Sequence, residues 1–343
     1  MRRALIGAAL SGAAFALVAA APASAHTVGG ILPSNYRSEI TAVTPPLPGV
    51  SISLYNLGHR VRLTNRTGAD ILVLGYYGEP FLRIGPDGAY ENTRSATFLD
   101  VAEPPGGQFA PPVWRLRATG RTATWADRRT YWSGSPPAGV GRAPGVVQFA
   151  VASWTIPLQT GPATANVTGR IVWVPGPSIW PWLGLALVLA ALAVGFALTP
   201  WWAVLLSGGM AVLVAFDAMH TWAIAAAAGG GFGAEVGRVF TAGGLSVAAW
   251  VVGLLAIDPL QRRREGGLLA VAVAGIVIAI FGGIGDSTSL NRSQLPAIYP
   301  AGLVRLAVAT SLGLGVGLVV ASVIRLRAMP VAAAAAPDRP DRP

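Results

Sequence analysis

The sequence contains no cysteine, which excludes disulfide bonds, zinc–thiolate sites, iron–sulfur clusters and thiol catalysis. It also contains no lysine, so arginine alone supplies the cations behind its formal net charge of +10. Because these arginines are dispersed and no basic helix or aromatic-basic motif accompanies them, we expect no nucleic-acid partner. Only three histidines are present, and the G-x-S-x-G, H-E-x-x-H and phosphate-loop motifs are missing. The sequence therefore favours a protein that is not an enzyme.

Charged residues are also scarce, at 12%, whereas hydrophobic residues make up 53% of the chain. Soluble domains rarely combine these values, so we expect lipid to be part of the solvent of this protein. The apolar excess lies in the second half, from Trp180 onward, and residues 27–177 are more polar and are punctuated by proline and glycine. We expect two domains that meet near Pro175-Gly176-Pro177.

The N-terminus has the features of a secretory signal peptide over residues 1–25. Two arginines follow Met1, an apolar stretch follows them, and Ala23-Ser24-Ala25 is an A-x-A processing site. Cleavage there makes His26 the mature N-terminus, whereas an uncleaved anchor is the alternative. A terminal histidine offers an α-amine and an imidazole, two nitrogen ligands that suit copper(II). His26 is therefore a candidate copper ligand, with His59 as the other histidine of the same domain.

Residues 26–177 show the alternation of apolar and polar residues that is typical of half-buried strands. Segments with this pattern begin at Val50, Arg60, Asp70, Val113, Phe149 and Val167. Turn residues such as Asn, Gly and Pro separate them. Seven to nine short strands without a convincing amphipathic helix predict an exported, antiparallel all-β sandwich of immunoglobulin-like or cupredoxin-like type.

Five apolar runs follow, each close to the length of about 20 residues with which an α-helix crosses the hydrocarbon core. They span residues 180–198, 202–222, 239–257, 268–284 and 301–324. We expect residues 178–327 to form an all-α bundle of five transmembrane helices in the lipid bilayer. The Ala-, Pro-, Asp- and Arg-rich tail over residues 328–343 is expected to be disordered and cytoplasmic.

The arginine positions predict the orientation of these helices. The loop between the third and fourth runs carries Arg262-Arg263-Arg264, and the segment after the fifth run carries Arg325 and Arg327. With the β-domain outside the cell, both segments fall on the cytoplasmic side, as the positive-inside rule requires. We therefore expect a multi-pass protein of the plasma membrane with an extracytoplasmic N-terminal domain and a cytoplasmic C-terminus.

Polar residues inside the apolar runs are costly and mark candidate sites. Asp217 and His220 lie three residues apart on one face of the second run. Counting back from Trp222 places Asp217 about 7–8 Å below the outer boundary of the membrane. Asp286 at the end of the fourth run and Arg305 in the fifth are expected at the same depth. This polar cluster could bind a cation, relay a proton, or hold the helices and the β-domain together.

Gly313 and Gly317 form a G-x-x-x-G motif in the fifth run, which permits a close helix contact. A homodimer formed through these glycines is one interpretation, and ordinary helix packing is the other.

Several segments together resemble a family of uncharacterised actinobacterial multi-pass membrane proteins with an exported β-domain. They are L-T-N-R-T-G at 63–68, V-L-G-Y-Y-G-E-P-F-L-R-I-G-P-D-G at 73–88, E-N-T-R-S at 91–95, and Asp286 with R-S-Q-L-P at 292–296. The resemblance covers nearly the whole mature chain and implies no activity. It has one departure, since relatives carry a W-x-D-H-R-x-H-W segment in which Arg128 and Tyr131 of this chain replace histidines. If those histidines bind a metal in relatives, this chain has lost that site.

The plan of the chain is also similar to that of bacterial copper-handling proteins, which pair a small periplasmic cupredoxin-like domain with a membrane partner. Our leading hypothesis is a non-enzymatic membrane protein whose exported domain binds a ligand, a metal or a partner protein and docks on the helix bundle. The alternative is a transporter or permease component, with copper as its cargo, that uses the polar cluster. The inner halves of the five runs carry no ionisable residue, which favours the first hypothesis.

Overall fold

The computed structural model describes residues 30–104, 106–107 and 110–329. The predicted signal peptide, the candidate copper ligand His26 and the tail from residue 330 lie outside these residues, so their predictions stay predictions. The described chain consists of a β-sheet domain followed by a helical region with several apolar helices.

Two antiparallel sheets form the β-domain. The larger sheet has seven strands in the order β1-β10-β9-β4-β5-β6-β7, and the smaller one has three in the order β2-β3-β8. The strands of the larger sheet are β1 (Tyr36–Thr44), β4 (Ile71–Leu74), β5 (Pro80–Gly85), β6 (Gly88–Asn92), β7 (Trp114–Ala118), β9 (Gln148–Thr160) and β10 (Ala163–Trp173). Those of the smaller sheet are β2 (Val50–Tyr55), β3 (Arg60–Asn65) and β8 (Thr122–Ala126). A short helix, α1 (Ala96–Leu99), follows β6.

The two sheets enclose one shared hydrophobic core. Val61 and Leu63 of β3 and Trp125 of β8 point into it from the smaller sheet, and Leu82 and Leu158 point into it from the larger one. Complete burial of a large aliphatic side chain contributes about 1.5–3 kcal/mol, so this core supplies the main driving force for the domain.

The strand prediction was right for six segments, which coincide with β2, β3, β4, β7, β9 and β10. It was wrong in number, because the described residues form ten strands rather than seven to nine. Four strands, β1, β5, β6 and β8, were missed. Both faces of β5 and β6 are buried, so these two lack the alternation that marks a half-buried strand, whereas β8 has this alternation and was still missed. In β1, a register shift between Ile40 and Ala42 interrupts the alternation.

The helical region begins at Trp180. Its helices are α2 (Trp180–Ala197), α3 (Trp202–Ala227), α4 (Phe232–Ala242), α5 (Gly244–Leu255), α6 (Ile257–Gln261), α7 (Glu265–Ile278) and α8 (Ala301–Ala328), with a π-helical turn at Ala279–Ile284 after α7. Five stretches of the described chain are long and apolar enough to cross a membrane, as predicted. They are Trp180–Ala197, Trp202–Ala227, Gly244–Gln261, Glu265–Ile284 and Ala301–Ala328.

The predicted start of the third run, at residue 239, was wrong. Residues Phe232–Ala242 form the separate amphipathic helix α4, and the apolar stretch begins only at Gly244. The helix breaks at Gly243, where a Cβ atom would lie 2.6 Å from the carbonyl oxygen of Val239 and 3.2 Å from the Thr221 side chain. The break was not predicted, because the residues on both sides of Gly243 are apolar and form one continuous apolar run in the sequence.

The G-x-x-x-G face of α8 packs against α2 of the same chain. A Cβ atom at Gly313 would lie 2.3 Å from the carbonyl oxygen of Ala186, and one at Gly317 would lie 2.7 Å from the Cα atom of Ala190. Both glycines therefore serve a close contact within the chain, as their small size allows. The homodimer stays a prediction, and this face does not support it.

The β-domain contacts the helical region through residues 291–296, the docking segment between the π-helical turn and α8. Ser34 and Gln294 exchange two backbone hydrogen bonds, of 3.0 and 2.9 Å. The Ser293 amide donates to Oδ1 of Asn35 at 2.9 Å, and the Ser293 hydroxyl donates to the carbonyl oxygen of Val174 at 2.9 Å. The docking segment thus bonds to both ends of the β-domain, before β1 and after β10.

Candidate functional site

The centre of the candidate site is a pair formed by His220 of α3 and Asp286, which follows the π-helical turn. Nε2 of His220 lies 3.0 Å from Oδ2 of Asp286. His220 is 2% exposed, so its ring is held inside the bundle. The other ring nitrogen, Nδ1, is buried and has no hydrogen-bond partner among the described residues.

A small cavity adjoins this pair, beneath the segment that leads into the β-domain. Its lining residues include Ile31 and Pro33 from the segment before β1, and His220, Asp286, Ser289 and Pro296 from the helical region. Its volume of about 10 Å³ is close to the smallest that holds one water molecule. The cavity therefore has room for about one water-sized ligand.

The pairing with Asp286 determines what His220 can do chemically. When Nε2–H donates to a carboxylate, the neutral ring keeps a free lone pair on Nδ1. Carboxylates orient metal-binding histidines in the same way. The buried Nδ1 can therefore accept a hydrogen bond, take up a proton or bind a metal ion.

Asp217 is fully buried. Helix α3 continues to Ala227, beyond the predicted end of the run at residue 222, so this carboxylate lies ten residues, or about 15 Å, from the end of its helix. Its Oδ2 accepts a hydrogen bond from Nε1 of Trp250 at 2.7 Å, and its Oδ1 accepts one from the Ser311 hydroxyl at 3.2 Å. Both carboxylate oxygens thus have partners on neighbouring helices.

The π-helical turn makes room for Asp217. A Cβ atom at Gly282 would lie 1.7 Å from Oδ1 of Asp217, so only glycine permits this approach. Such turns occur frequently at functional sites, because they shift one helix face relative to the ordinary α-helical register. Here the turn carries the chain from the Asp217 contact to Asp286 in four residues.

Arg305 does not contact the acidic residues with which it was predicted to cluster. Its Nε donates to the carbonyl oxygen of Ser289 at 3.2 Å, and one terminal nitrogen donates to that of Arg292 at 2.7 Å. Within the part of the chain that the structure describes, no ion pair joins Arg305 to Asp217 or Asp286. Arg305 instead holds the backbone of Ser289, which precedes the docking segment, and of Arg292, which lies within it.

Trp250 and Ser311 were not predicted from the sequence as members of the site. Trp250 lies inside an apolar run, where a tryptophan is typically a lipid-facing or interfacial side chain. Ser311 is typical of the small residues that permit close helix packing. The one available signal was the position of Trp250, which lies well inside its run rather than at an end. An indole N–H that is buried there needs a hydrogen-bond acceptor.

Residues 125–132, the segment in which relatives are expected to carry histidines, form ion pairs and hydrogen bonds in this chain. Asp127 accepts hydrogen bonds from Nε1 of Trp125 at 3.1 Å and from the Arg129 guanidinium at 2.8 and 2.9 Å. Arg128 pairs with Asp100. The segment therefore fixes the end of β8 through ion pairs.

Tyr131, at the second of these positions, stacks on His59. The two rings are 4.0 Å apart and nearly parallel, at 18°. Burial lowers the pKa of His59, so its imidazole is neutral at pH 7. In the described part of the chain, no group of three or more histidine and acidic side chains is placed to hold a metal ion.

Comparisons with protein-family models, with curated proteins and with solved structures gave no match.

Proposed function

We propose that the protein is a non-enzymatic integral membrane protein whose exported β-domain binds a ligand, a metal or a partner protein while docked on the helix bundle. In this proposal the domain is a β-sandwich of immunoglobulin-like or cupredoxin-like type. The protein lies in the plasma membrane with this domain outside the cell and the C-terminus in the cytoplasm. The five apolar helices and the two-sheet domain support the proposal.

The docking segment carries the argument. A domain that merely hangs from the membrane needs only the chain connection after β10. Here the domain also exchanges backbone hydrogen bonds with a loop more than 250 residues away in sequence, between Ser34 and Gln294. Holding the domain in one orientation is useful when binding on the domain has to be sensed by the bundle. The segment begins five residues after Asp286, so it joins the β-domain to the part of the bundle that holds the buried pair.

Docking can be tested by a disulfide between Ser34→Cys and Gln294→Cys. The chain is free of cysteine, so any disulfide in the double variant is the engineered one. We expect it to form spontaneously in native membranes, because residues that exchange both backbone hydrogen bonds lie about 5.5 Å apart at Cα. Gly120→Cys with Gln294→Cys, at the turn between β7 and β8, is the matched control and should stay reduced. Equal oxidation of both pairs would contradict docking.

Binding needs a separate measurement on the full-length protein. A Cβ atom at Gly176 would lie 1.8 Å from the carbonyl oxygen of Asn291, so Gly176→Ala should displace the docking segment, whereas Gly68→Ala meets open space and is its control. We expect the wild type to carry bound metal, measured by elemental mass spectrometry, or a partner whose cross-links map to the β-domain. Gly176→Ala should lower the amount of this metal or partner that is recovered. If neither is recovered with the wild type, the binding function is wrong even if the disulfide forms.

The unpartnered Nδ1 of His220 favours a second candidate function, that of a copper transporter or permease component. Asp286 holds this nitrogen beside a small cavity, as a carboxylate that is hydrogen-bonded to a metal-binding histidine orients its ring. His220→Ala, Asp286→Asn and Asp217→Asn should then each abolish copper uptake by proteoliposomes while their melting temperatures stay near that of the wild type. Uptake no faster than that of empty liposomes would exclude this function.

A further inference from the structure

Two arginines meet on one tryptophan at the end of the bundle that lies opposite the β-domain. Arg263, between α6 and α7, has its guanidinium carbon 6.0 Å from the centre of the Trp202 ring, and that of Arg325, near the end of α8, lies 5.1 Å from it. Arg325 also donates to the carbonyl oxygen of Thr199 at 2.8 Å, and Arg263 to that of Pro200 at 3.3 Å. The ring and the carbonyl groups hold both side chains in place.

This end of the bundle has an excess of positive charge. Within the described residues it carries Arg262, Arg263, Arg264, Arg325 and Arg327 against the two carboxylates Asp258 and Glu265. Arg262 is paired with Asp258 at 2.9 Å. None of the other four arginines forms an ion pair in the part of the chain that the structure describes.

Keeping two guanidinium groups on one ring costs repulsion between like charges, which an anion beside them would offset. Each guanidinium has five N–H donors in a planar fork that matches phosphate oxygens. Arg263 and Arg325 each use only one of these donors on a backbone carbonyl. Donors therefore remain on both side chains for an anionic ligand.

The position along the helices identifies the source of the anion. The apolar stretches end here at Ala197, Gln261 and Ala328, and others begin here at Trp202 and Glu265. The arginines thus lie at the ends of the apolar stretches, which is where the hydrocarbon core gives way to lipid headgroups in a bilayer that these stretches span. The adjacent Trp201 is 70% exposed, as an interfacial tryptophan is. Basic pockets between membrane helices bind phosphate-bearing headgroups in this position.

We infer that Arg263 and Arg325, held by Trp202, bind the phosphate group of an anionic phospholipid, with Arg264 and Arg327 adding to the attraction. The site is independent of the β-domain and of the polar cluster. Each arginine near a membrane surface contributes about 1 kcal/mol, so removing two of them should weaken the preference for anionic lipid about 30-fold.

The inference can be tested by native mass spectrometry of the full-length protein released from nanodiscs of phosphatidylcholine with phosphatidylglycerol. We expect the wild type to retain phosphatidylglycerol and Arg263→Gln/Arg325→Gln to lose this preference. Arg60→Gln/Arg142→Gln removes two exposed charges of the β-domain and should behave as the wild type. If the first variant does not fold, Arg264→Gln/Arg327→Gln removes exposed charges of the same site and should reduce retention.

Three outcomes would overturn the inference. The first is equal retention of the two lipids by the wild type. The second is undiminished preference in both variants of the site. The third is an equal rise in melting temperature with inorganic phosphate and with phosphatidylglycerol, because the site would then bind free phosphate rather than a lipid.

Discussion

At the scale of single residues, the bundle contains a carboxylate that the surrounding helices fully enclose. Asp217 is tolerated there because Trp250 and Ser311 each donate a hydrogen bond to it. A buried donor that loses its acceptor costs about 1–3 kcal/mol. Trp250 and Ser311 therefore need Asp217 as an acceptor, just as Asp217 needs them as donors. Removal of the Asp217 carboxylate affects three helices together.

We predict that Asp217→Asn is well tolerated in a structural role and that Asp217→Leu is not. The asparagine oxygen can accept from Trp250 and its amide can donate to the Ser311 hydroxyl, whereas leucine leaves both groups unpaired. A loss of about 2 kcal/mol corresponds to a melting temperature about 4–8 °C lower in a helical region of this size. Thermal unfolding in detergent checks this. Leucine and asparagine variants that melt at the wild-type temperature would show that these hydrogen bonds contribute nothing.

Glu79 supplies a prediction about pH in the β-domain. Burial raises the pKa of its carboxyl group, but hydrogen bonds from Ser95 and Thr97 outweigh burial and hold the pKa below its ordinary value of 4.5. A depressed pKa in the folded state means that this stabilisation is present above about pH 4.5 and is lost as the pH falls through the folded-state pKa. Glu79→Gln should therefore flatten the fall in stability below pH 4.5.

Urea unfolding of the full-length protein, followed by tryptophan fluorescence at several pH values, measures this effect. Glu103→Gln is the matched control, because Glu103 is exposed on a loop, and it should leave the profile of the wild type unchanged. A Glu79→Gln profile that coincides with that of Glu103→Gln would contradict the prediction.

At the scale of elements, glycines decide how closely the helices approach. Gly313 and Gly317 admit the α2 backbone, and Gly282 admits the Asp217 carboxylate. Sequence periodicity shows that such helices are apolar, but it does not show which neighbour a glycine faces. The sequence therefore did not show whether the α8 glycines pack against another copy of the chain or against a helix of the same chain.

We predict that Gly313→Val destabilises the protein by separating α2 from α8. Even the Cβ atom of the valine would lie 2.3 Å from the Ala186 carbonyl oxygen, and overpacking of this kind costs about 1–3 kcal/mol. Gly302→Ala, on the same helix but facing open space, is the control and should not lower the melting temperature. Thermal unfolding combined with the measured mass in detergent tests this. A change from dimer to monomer at unchanged stability would instead support the homodimer.

The limits of sequence prediction follow from what each pattern records. Alternation identifies a strand with one buried face, so β3 was found, whereas β5, buried on both faces, was not. The apolar stretches could be predicted, because the thickness of a bilayer sets the length that a spanning helix needs. The contacts of Arg305 could not be predicted, because its acceptors are backbone carbonyl groups, which every residue has. His220 and Asp286 were the most predictable part of the site, since charged groups in apolar runs need partners.

At the scale of the whole molecule, the two ends of the bundle differ in what they carry. One end holds the β-domain, the docking segment and the cavity beside His220. The other holds Arg263 and Arg325 on Trp202. This polarity was inferred from charge alone in the sequence, and the contacts of Arg263 with Pro200 and of Arg325 with Thr199 now bring those charges together at one end.

We predict that the arginine end faces the cytoplasm, because arginine-rich loops are retained on that side. In the cysteine-free chain, Glu103→Cys should react with a membrane-impermeant thiol reagent in intact cells, whereas Arg264→Cys should react only after permeabilisation. Reporter fusions near Gly230 and Asn291 should be active outside, and a fusion after Pro330 inside. Labelling of Arg264→Cys in intact cells, or a tail found outside, would mean that one of the five apolar helices does not cross the membrane.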